Sequence, residues 1–369
     1  MGLAMHHIIA GWKFLMNKNH DQGEIILGVD THLDVHVGAL INTAGKLLGT
    51  LSISVNTQGY LDLLSWASSF GELKRAGLEG TGTYGAGLCR LLTDNGVSVF
   101  EVNRPDRVAR RRRGKSDPID AENAARSVLS GLSTAIPKQH TGACEAMRIA
   151  SVARRSAVKA RTQAINQVRA ILVSAPQNIR EKLWRVKASD CVKACIKSHK
   201  FGESPLLITL QSTLKCLAKR WIMLSSELQE LDKQLEQLTQ SHAPKLRSRF
   251  GVGPNTAAIL LSVAGDNPKR LKSEAALASL CGVNPLPASS GKTVRHRLNR
   301  GGSRVANNAL WTIAMVRMRS DARTRIYVER RTNEGLSTKE IQRCLKRYIV
   351  RELYPLILGD LKNTGELLT

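Results

Sequence analysis

Residues 24–55 read EIILGVDTHLDVHVGALINTAGKLLGTLSISV, and this stretch decides the fold. Residues 24–30 form a short apolar run closed by an acid, Asp30. Residues 35–41 and 47–55 are two more β-rich runs, joined by a turn that holds Asn42 and Gly45, so three strands follow one another. Outward from there, residues 59–70 carry a helical apolar period and 75–79 read as a fourth strand. Residues 87–95 are helical and stop at Gly96, 97–102 make a fifth strand, and a helix that starts near Pro118 closes the unit at about residue 131. A meander of three strands continued by parallel crossovers is the order of an α/β, RNase H-like fold.

That order brings acids together. Asp30 ends the first strand and Glu79 the fourth, which are neighbours in such a sheet. Asp117 and Asp120 lie three residues apart at the start of the late helix, so they share a face that packs across the strand ends. Four converging carboxylates raise one another's pKa unless a cation intervenes. Hard divalent ions prefer oxygen ligands, so Mg2+ or Mn2+ held by Asp30, Glu79, Asp117 and Asp120 is the expected remedy, suited to phosphoryl chemistry. Taken singly, each acid has a plain structural role: Asp117 caps a helix and Asp30 sits in a turn.

The chain carries 55 Lys and Arg against 30 Asp and Glu, a formal net charge of +25. A surplus of that size implies a polyanionic partner, though purely structural nucleic-acid binders share it. Just before the Asp117 helix stand Arg104, Arg107, Arg110, Arg111, Arg112, Arg113 and Lys115. Beside metal-binding acids, this run is read as a nucleic-acid surface rather than a solvated face. No apolar run is long enough for a membrane span, and no membrane partner is expected. Seven scattered cysteines suit reduced thiols and a cytoplasmic location; Cys191, Cys195 and His199 have helical spacing but lack an evident fourth zinc ligand. Residues 1–22 read as a loose extension or an upstream start.

Residues 143–173 read as a long basic helix with Arg148, Arg154, Arg155, Lys159, Arg161 and Arg169. Leu210, Leu214, Leu217, Trp221, Leu224, Leu228, Leu231, Leu235 and Leu238 then repeat every 3.5 residues over four heptads, a coiled-coil seam. It has two acceptable partners, the 143–173 helix of the same chain or another subunit. From residue 243 to 319 the chain becomes basic, with helices near 254–265, 273–281 and 303–319. Residues 249–266, RFGVGPNTAAILLSVAGD, read either as a helix-hairpin-helix that offers backbone N–H groups to phosphate or as an ordinary helix–helix turn. Beyond about residue 337 the tail is a basic amphipathic helix.

Residues 282–310, GVNPLPASSGKTVRHRLNRGGSRVANNAL, place Ser289 and Ser290 on a Gly- and Pro-rich loop followed by Lys292, Arg295, Arg297, Arg300 and Arg304. These cations are candidate nucleic-acid contacts. Alone, an SSG loop means little, because a serine hydroxyl needs activation before it attacks. GVDTHLD, LEGTGTYG, the arginine run into KSDPIDAENAA, and PASSGKTVRHRLNRGGSRVAN together resemble the DEDD-type transposases of bacterial insertion sequences. That family includes pilin-gene DNA invertases and bridge-RNA-guided recombinases, and the likeness spans residues 24 to about 335.

The resemblance implies a RuvC-like N-terminal domain, a helical coiled-coil middle, and a small mainly α C-terminal transposase domain. The boundaries that follow are 1–22 for the extension, 23–140 for the RuvC-like DEDD domain and 141–242 for the long helices. Residues 243–336 would be the transposase domain and 337–369 the basic C-terminal helix. The DEDD acids match Asp30, Glu79, Asp117 and Asp120. A nucleophilic serine immediately before glycine matches Ser290, with Ser289 as the neighbouring candidate. DNA (element ends and target), a guide RNA and a homo-oligomer, dimer or tetramer, are the implied partners. Two rivals remain: a RuvC-like structure-specific endonuclease, which needs the acids but no serine, and a non-catalytic nucleic-acid-binding protein.

Overall fold

A computed structural model describes residues 23–102, 116–292 and 296–366. The N-terminal extension, Arg104, Arg107, Arg110, Arg111, Arg112, Arg113, Lys115 and Arg295 lie outside the described residues. The chain divides into two compact units, residues 1–139 and 140–369.

The first unit is a mixed five-stranded sheet of β1 (Glu24–Thr31), β2 (Val35–Asn42), β3 (Leu47–Ser54), β4 (Glu72–Leu78) and β5 (Ser98–Glu101). Its order is β3-β2-β1-β4-β5, antiparallel from β3 to β1 and parallel from β1 to β5, the RNase H-like topology. The strands joined by tight turns pair antiparallel; the parallel pairs are bridged by α1 (Thr57–Ser68) and α2 (Ala86–Asp94). Strand β4 starts three residues earlier than its apolar run suggests. Of its first residues, Glu72 and Lys74 are charged and exposed, and Arg75 reaches across to Glu24 of β1 at 2.6 Å.

Alternation along β1 sorts its side chains. Ile25, Leu27 and Val29 face α1 and α2, in a core with Leu63, Leu88 and Leu92. Ile26 faces the other way, toward α3 (Asp117–Leu129), in a core with Ala125 and Val128. Gly28 follows on that face and is paired in register with Gly77 of β4. A Cβ on Gly28 would lie 2.0 Å from the Ala121 carbonyl oxygen, and one on Gly77 2.7 Å from that of Ala124. Two facing glycines thus let the α3 backbone settle directly on the sheet. The same parity delivers Asp30 to the α3 side, where the helix begins.

The second unit is helical. Helix α4 (Ala143–Ser174) lies antiparallel to α7 (Pro205–His242), with α5 (Gln177–Leu183) and α6 (Ala188–Ile196) between them in sequence. The leucine seam therefore pairs within its own chain. The α7 leucines meet small residues on α4: Ala157 packs with Leu224 and Leu228, and Ala164 is likewise buried. Within this seam Arg154 binds Asp232 at 2.5 Å, and Arg161 stacks on the Trp221 ring at 5.6 Å. Arg148 is held by Glu145, and Arg169 donates to the Val186 carbonyl. Four of the six cations named on this basic helix are thus engaged inside the fold. Cys191 and Cys195 are buried on α6, which ends before His199.

The rest comprises α8 (Pro244–Arg247), α9 (Pro254–Ala264), α10 (Glu274–Leu280), a hairpin of β6 (Pro285–Pro287) and β7 (His296–Leu298), α11 (Arg304–Ser320), α12 (Ala322–Asn333) and α13 (Thr338–Glu366). One core binds them to the ends of α4 and α7, through Met147, Leu235, Leu260, Ile313 and Ile357 among others. Asp360 of α13, buried, accepts the Lys245 and Leu246 main-chain N–H groups at the start of α8. Among the described residues no helix is long and apolar enough to cross a membrane.

Candidate active site

Asp30 is the second-last residue of β1, 7% exposed, on the face toward α3. Asp117 opens α3, behind Ser116 in an extended conformation and ahead of Pro118, so the chain enters the helix without an N–H to satisfy at that proline. The positive end of the helix favours acids there. Asp120, one turn on, is 2% exposed. Between Asp30 and Asp117 stands a residue that the sequence reading passed over. His32 Nε2 lies 3.3 Å from Asp30 Oδ2 and 3.5 Å from Asp117 Oδ2.

Burial pushes the Asp30 carboxyl above the usual carboxylate range. The nearby His32 opposes that push, while the charges of Asp117 and Asp120 add to it. Of the repulsion anticipated from the acidic pattern, the part felt by Asp30 from Asp117 and Asp120 is present. Among the described residues, the group able to place one ligand atom each within 4.8 Å is Asp30, His32 and Asp117. Glu79 and Asp120 stand outside that tight group. Glu79 directly follows β4, its N–H on the Val29 carbonyl at 3.3 Å and its own carbonyl accepting from Thr31 Oγ1 at 3.1 Å. The register places it beside Asp30, one step past the Val29–Leu78 pair. Asp120 acts on Asp30 through its charge.

The donor set fits a divalent metal. Two carboxylates and an imidazole converge, and one of the carboxylates is buried where a negative charge needs compensation. The His32 loop is held from beneath: its main-chain N–H points to Nδ1 of His36 at 3.4 Å. His36 is fully buried and stacked on Tyr60, and burial pushes its pKa below the ordinary histidine value.

In the second unit, Ser289 and Ser290 are exposed on the loop between β6 and β7. Gly291 has φ of +54° with open space about it, a left-handed turn immediately after Ser290. Lys292, Arg297, Arg300 and Arg304 are all exposed. The Gly-Val-Gly turn before α9 uses its donors internally: Val252 N–H goes to the Arg249 carbonyl and Gly253 N–H to Thr256 Oγ1. Pro254 has no N–H to offer.

Two family models match the chain. One, a DEDD transposase model of the IS110 group, covers residues 27–175; the other, described as Transposase IS116/IS110/IS902 family, covers 243–329. The chain belongs to this IS110-type transposase family. The N-terminal match takes in the sheet from residue 27 onward, α3 and all of α4, and the other takes in the hairpin serines. The chain is also 30% identical over 152 residues to a Streptomyces coelicolor protein described as an insertion element IS110 uncharacterized 43.6 kDa protein. That match spans 40% of this chain and 37% of the relative, so the family likeness reaches little more than a third of the relative's length.

Proposed function

We propose that this chain is a DNA transposase or recombinase that cleaves and rejoins strands at the ends of an insertion sequence and at its target. The observation that carries the reading is the Asp30–His32–Asp117 group, with Asp30 buried at the end of β1, in a chain of the IS110-type family. Asp30 and Asp117 would hold Mg2+ or Mn2+, with Glu79 and Asp120 completing the acidic set on the same unit. When bound, such an ion polarises a phosphate and favours the ionised form of an attacking oxygen. The chain's own residues do the rest. Asp30 and Asp117 supply oxygens from a strand end and a helix start, two rigid supports. His32 bridges the two acids, offsets their repulsion when protonated, and offers a nitrogen ligand when neutral. His36 fixes the loop that carries it.

Ser290 is the proposed nucleophile. Its Oγ would attack a backbone phosphorus, the bond to the leaving sugar oxygen would break, and a sugar hydroxyl would later reverse the step. The diester energy is conserved in the serine–phosphate bond, so rejoining needs no ATP. Exposure of Ser290, the left-handed Gly291 and the cations at Lys292, Arg297, Arg300 and Arg304 support this assignment. Residues 23–140 would be the RuvC-like catalytic domain, 141–242 the helical spacer, 243–336 the transposase domain and 337–369 the basic tail. A guide RNA and a dimer or tetramer complete the reading, both resting on family likeness.

A suicide DNA substrate tests it. Wild-type protein should give a denaturation-resistant adduct in Mg2+ or Mn2+ and none in EDTA, and Ser290→Ala should give none. An adduct formed by Ser290→Ala but not by Ser289→Ala moves the nucleophile by one residue. If both variants keep full strand exchange, the serine mechanism is wrong.

A further inference from the structure

Helix α13 lies beyond residue 329, where the second family match ends. Its apolar residues Ile341, Leu345, Ile349, Leu353 and Ile357 sit in the core of the second unit. Its cations at 343, 346, 347 and 351 follow helical spacing on another face. That face is one wall of a cleft of about 960 Å³. The β7 strand and the segment from it into α11 form the opposite wall and contribute Arg297, Arg300 and Arg304. The lining includes one acid, Glu340, whose carboxylate is occupied by Ser337 N–H and Oγ.

The cations of this cleft differ in how they are used. Glu274 holds Arg347, and Arg351 lies over the Tyr348 ring. Among the described residues, no acid lies within ion-pair distance of Arg297, Arg300, Arg304, Arg343 or Lys346. Lys346 is the most telling. It is half-buried, its ammonium donates to Asn307 Oδ1 at 2.7 Å, and Asn307 is itself oriented by donating to the Cys281 and Gly282 carbonyls. A cation is thus locked in the cleft by a neutral amide, with burial and the nearby Arg343 both working against its charge. Such an arrangement costs stability unless an anion completes it.

We propose that this cleft is a binding site for nucleic-acid backbone phosphates, with Arg343 and Lys346 of α13 facing Arg297, Arg300 and Arg304 across it. The inference rests on the nucleic-acid-handling reading above and extends it to a helix outside the matched segments. Arg343 and Lys346 contact phosphates directly, and Asn307 positions Lys346.

The test is the salt dependence of binding by full-length protein in EDTA, with three probes: single-stranded DNA, single-stranded RNA and duplex DNA. Arg343→Gln/Lys346→Gln should flatten the slope of log affinity against log salt by about 1.4 on a single strand or about 1.8 on a duplex, because two phosphates are no longer neutralised. The probe whose slope flattens identifies the occupant. Lys219→Gln/Lys233→Gln, which removes equal charge from exposed α7 positions, should leave the slope near wild type, and Arg343→Lys/Lys346→Arg should restore it. Should the double variant fold poorly by thermal melt, exposed Arg343→Gln alone should still remove about 0.7 on a single strand or about 0.9 on a duplex. If no probe distinguishes the α13 variant from the α7 control, the cleft is not a phosphate site. Because binding is read without metal, an unchanged slope with intact cleavage defeats only this inference. Cleavage that ignores metal and the acids defeats the functional reading instead.

Discussion

The two regions that carry the proposed chemistry are built in opposite ways. The acids of the first unit are placed by strict geometry: strand parity brings Asp30 to one face, and paired glycines admit the helix that brings Asp117 and Asp120. Ser290 sits on an exposed loop between strands of three residues each, with open space around Gly291. A metal centre tolerates little displacement of its ligands, whereas a nucleophile that must reach a phosphate and later release it profits from a support that can adjust. The first region concentrates negative charge around two buried acids, Asp30 and Asp120, and the second is an exposed concentration of positive charge.

The largest expected effect comes from removing a rigid ligand. Asp30→Asn should lower strand cleavage by about 10³-fold or more, since metal stabilisation of the reacting phosphate is worth several kcal/mol. Salt-dependent DNA affinity in EDTA should stay near wild type. Single-turnover cleavage beside a binding titration checks both, and retained cleavage would remove Asp30 from the metal set. Next, Gly28→Ala should cost about 1–3 kcal/mol by forcing α3 off the sheet, and it should weaken Mn2+ binding as Asp117 moves. Gly291→Ala meets no atoms, so it should cost only the left-handed φ, about 1–2 kcal/mol, and leave Mn2+ binding unchanged. Equal losses in denaturant titrations and in Mn2+ binding would erase the contrast between rigid and adjustable supports.

His32→Ala should weaken divalent-metal affinity by about 10–100-fold, as for other groups that orient metal ligands, with His32→Gln milder. Unchanged calorimetric affinity for both would reduce His32 to a surface residue. The smallest effect concerns Glu145, which Arg148 holds well below the ordinary glutamate value, at about 2, with further help from His140. A depressed carboxylate stabilises the fold above its unfolded pKa of about 4.3, and that contribution fades as pH falls toward about 2. Glu145→Gln should therefore melt lower than wild type at pH 7 and converge with it near pH 2. A gap that persists at pH 2 would assign the loss to packing instead of charge.

Much of the first unit was legible in the sequence because β alternation leaves a plain record. The strand order, the helix at Asp117 and the meeting of Asp30 with Asp117 all follow from residues 24–131. His32 escaped because a histidine two residues past Asp30 has no periodic signature, although it stood inside the quoted GVDTHLD. The convergence expected of all four acids is tight for Asp30 and Asp117 only; Asp120 acts through charge, and Glu79 is placed by register. In the second unit, the leucine seam of α7 was plain, but its partner was not. Helix α4 contributes alanines and arginines, and arginines read as solvated until Asp232 and Trp221 are seen to receive them. Helix α12 has few buried side chains and left no apolar stripe to find.

The pairing of α4 with α7 also has a mechanical meaning. Helix α7 is 38 residues long, which is about 57 Å of continuous rod. Its seam joins one hydrophobic core, around Leu214 and Cys195, to another, around Leu235 and Leu260. Braced along its length by α4, that rod serves as a ruler within the second unit. Adding one heptad to each helix would lengthen it by about 10 Å while keeping the seam in phase. Adding four residues would turn the far core by about 40° relative to the near one. The distance between these two cores is thus set by helix length alone, independently of every side chain proposed for the chemistry.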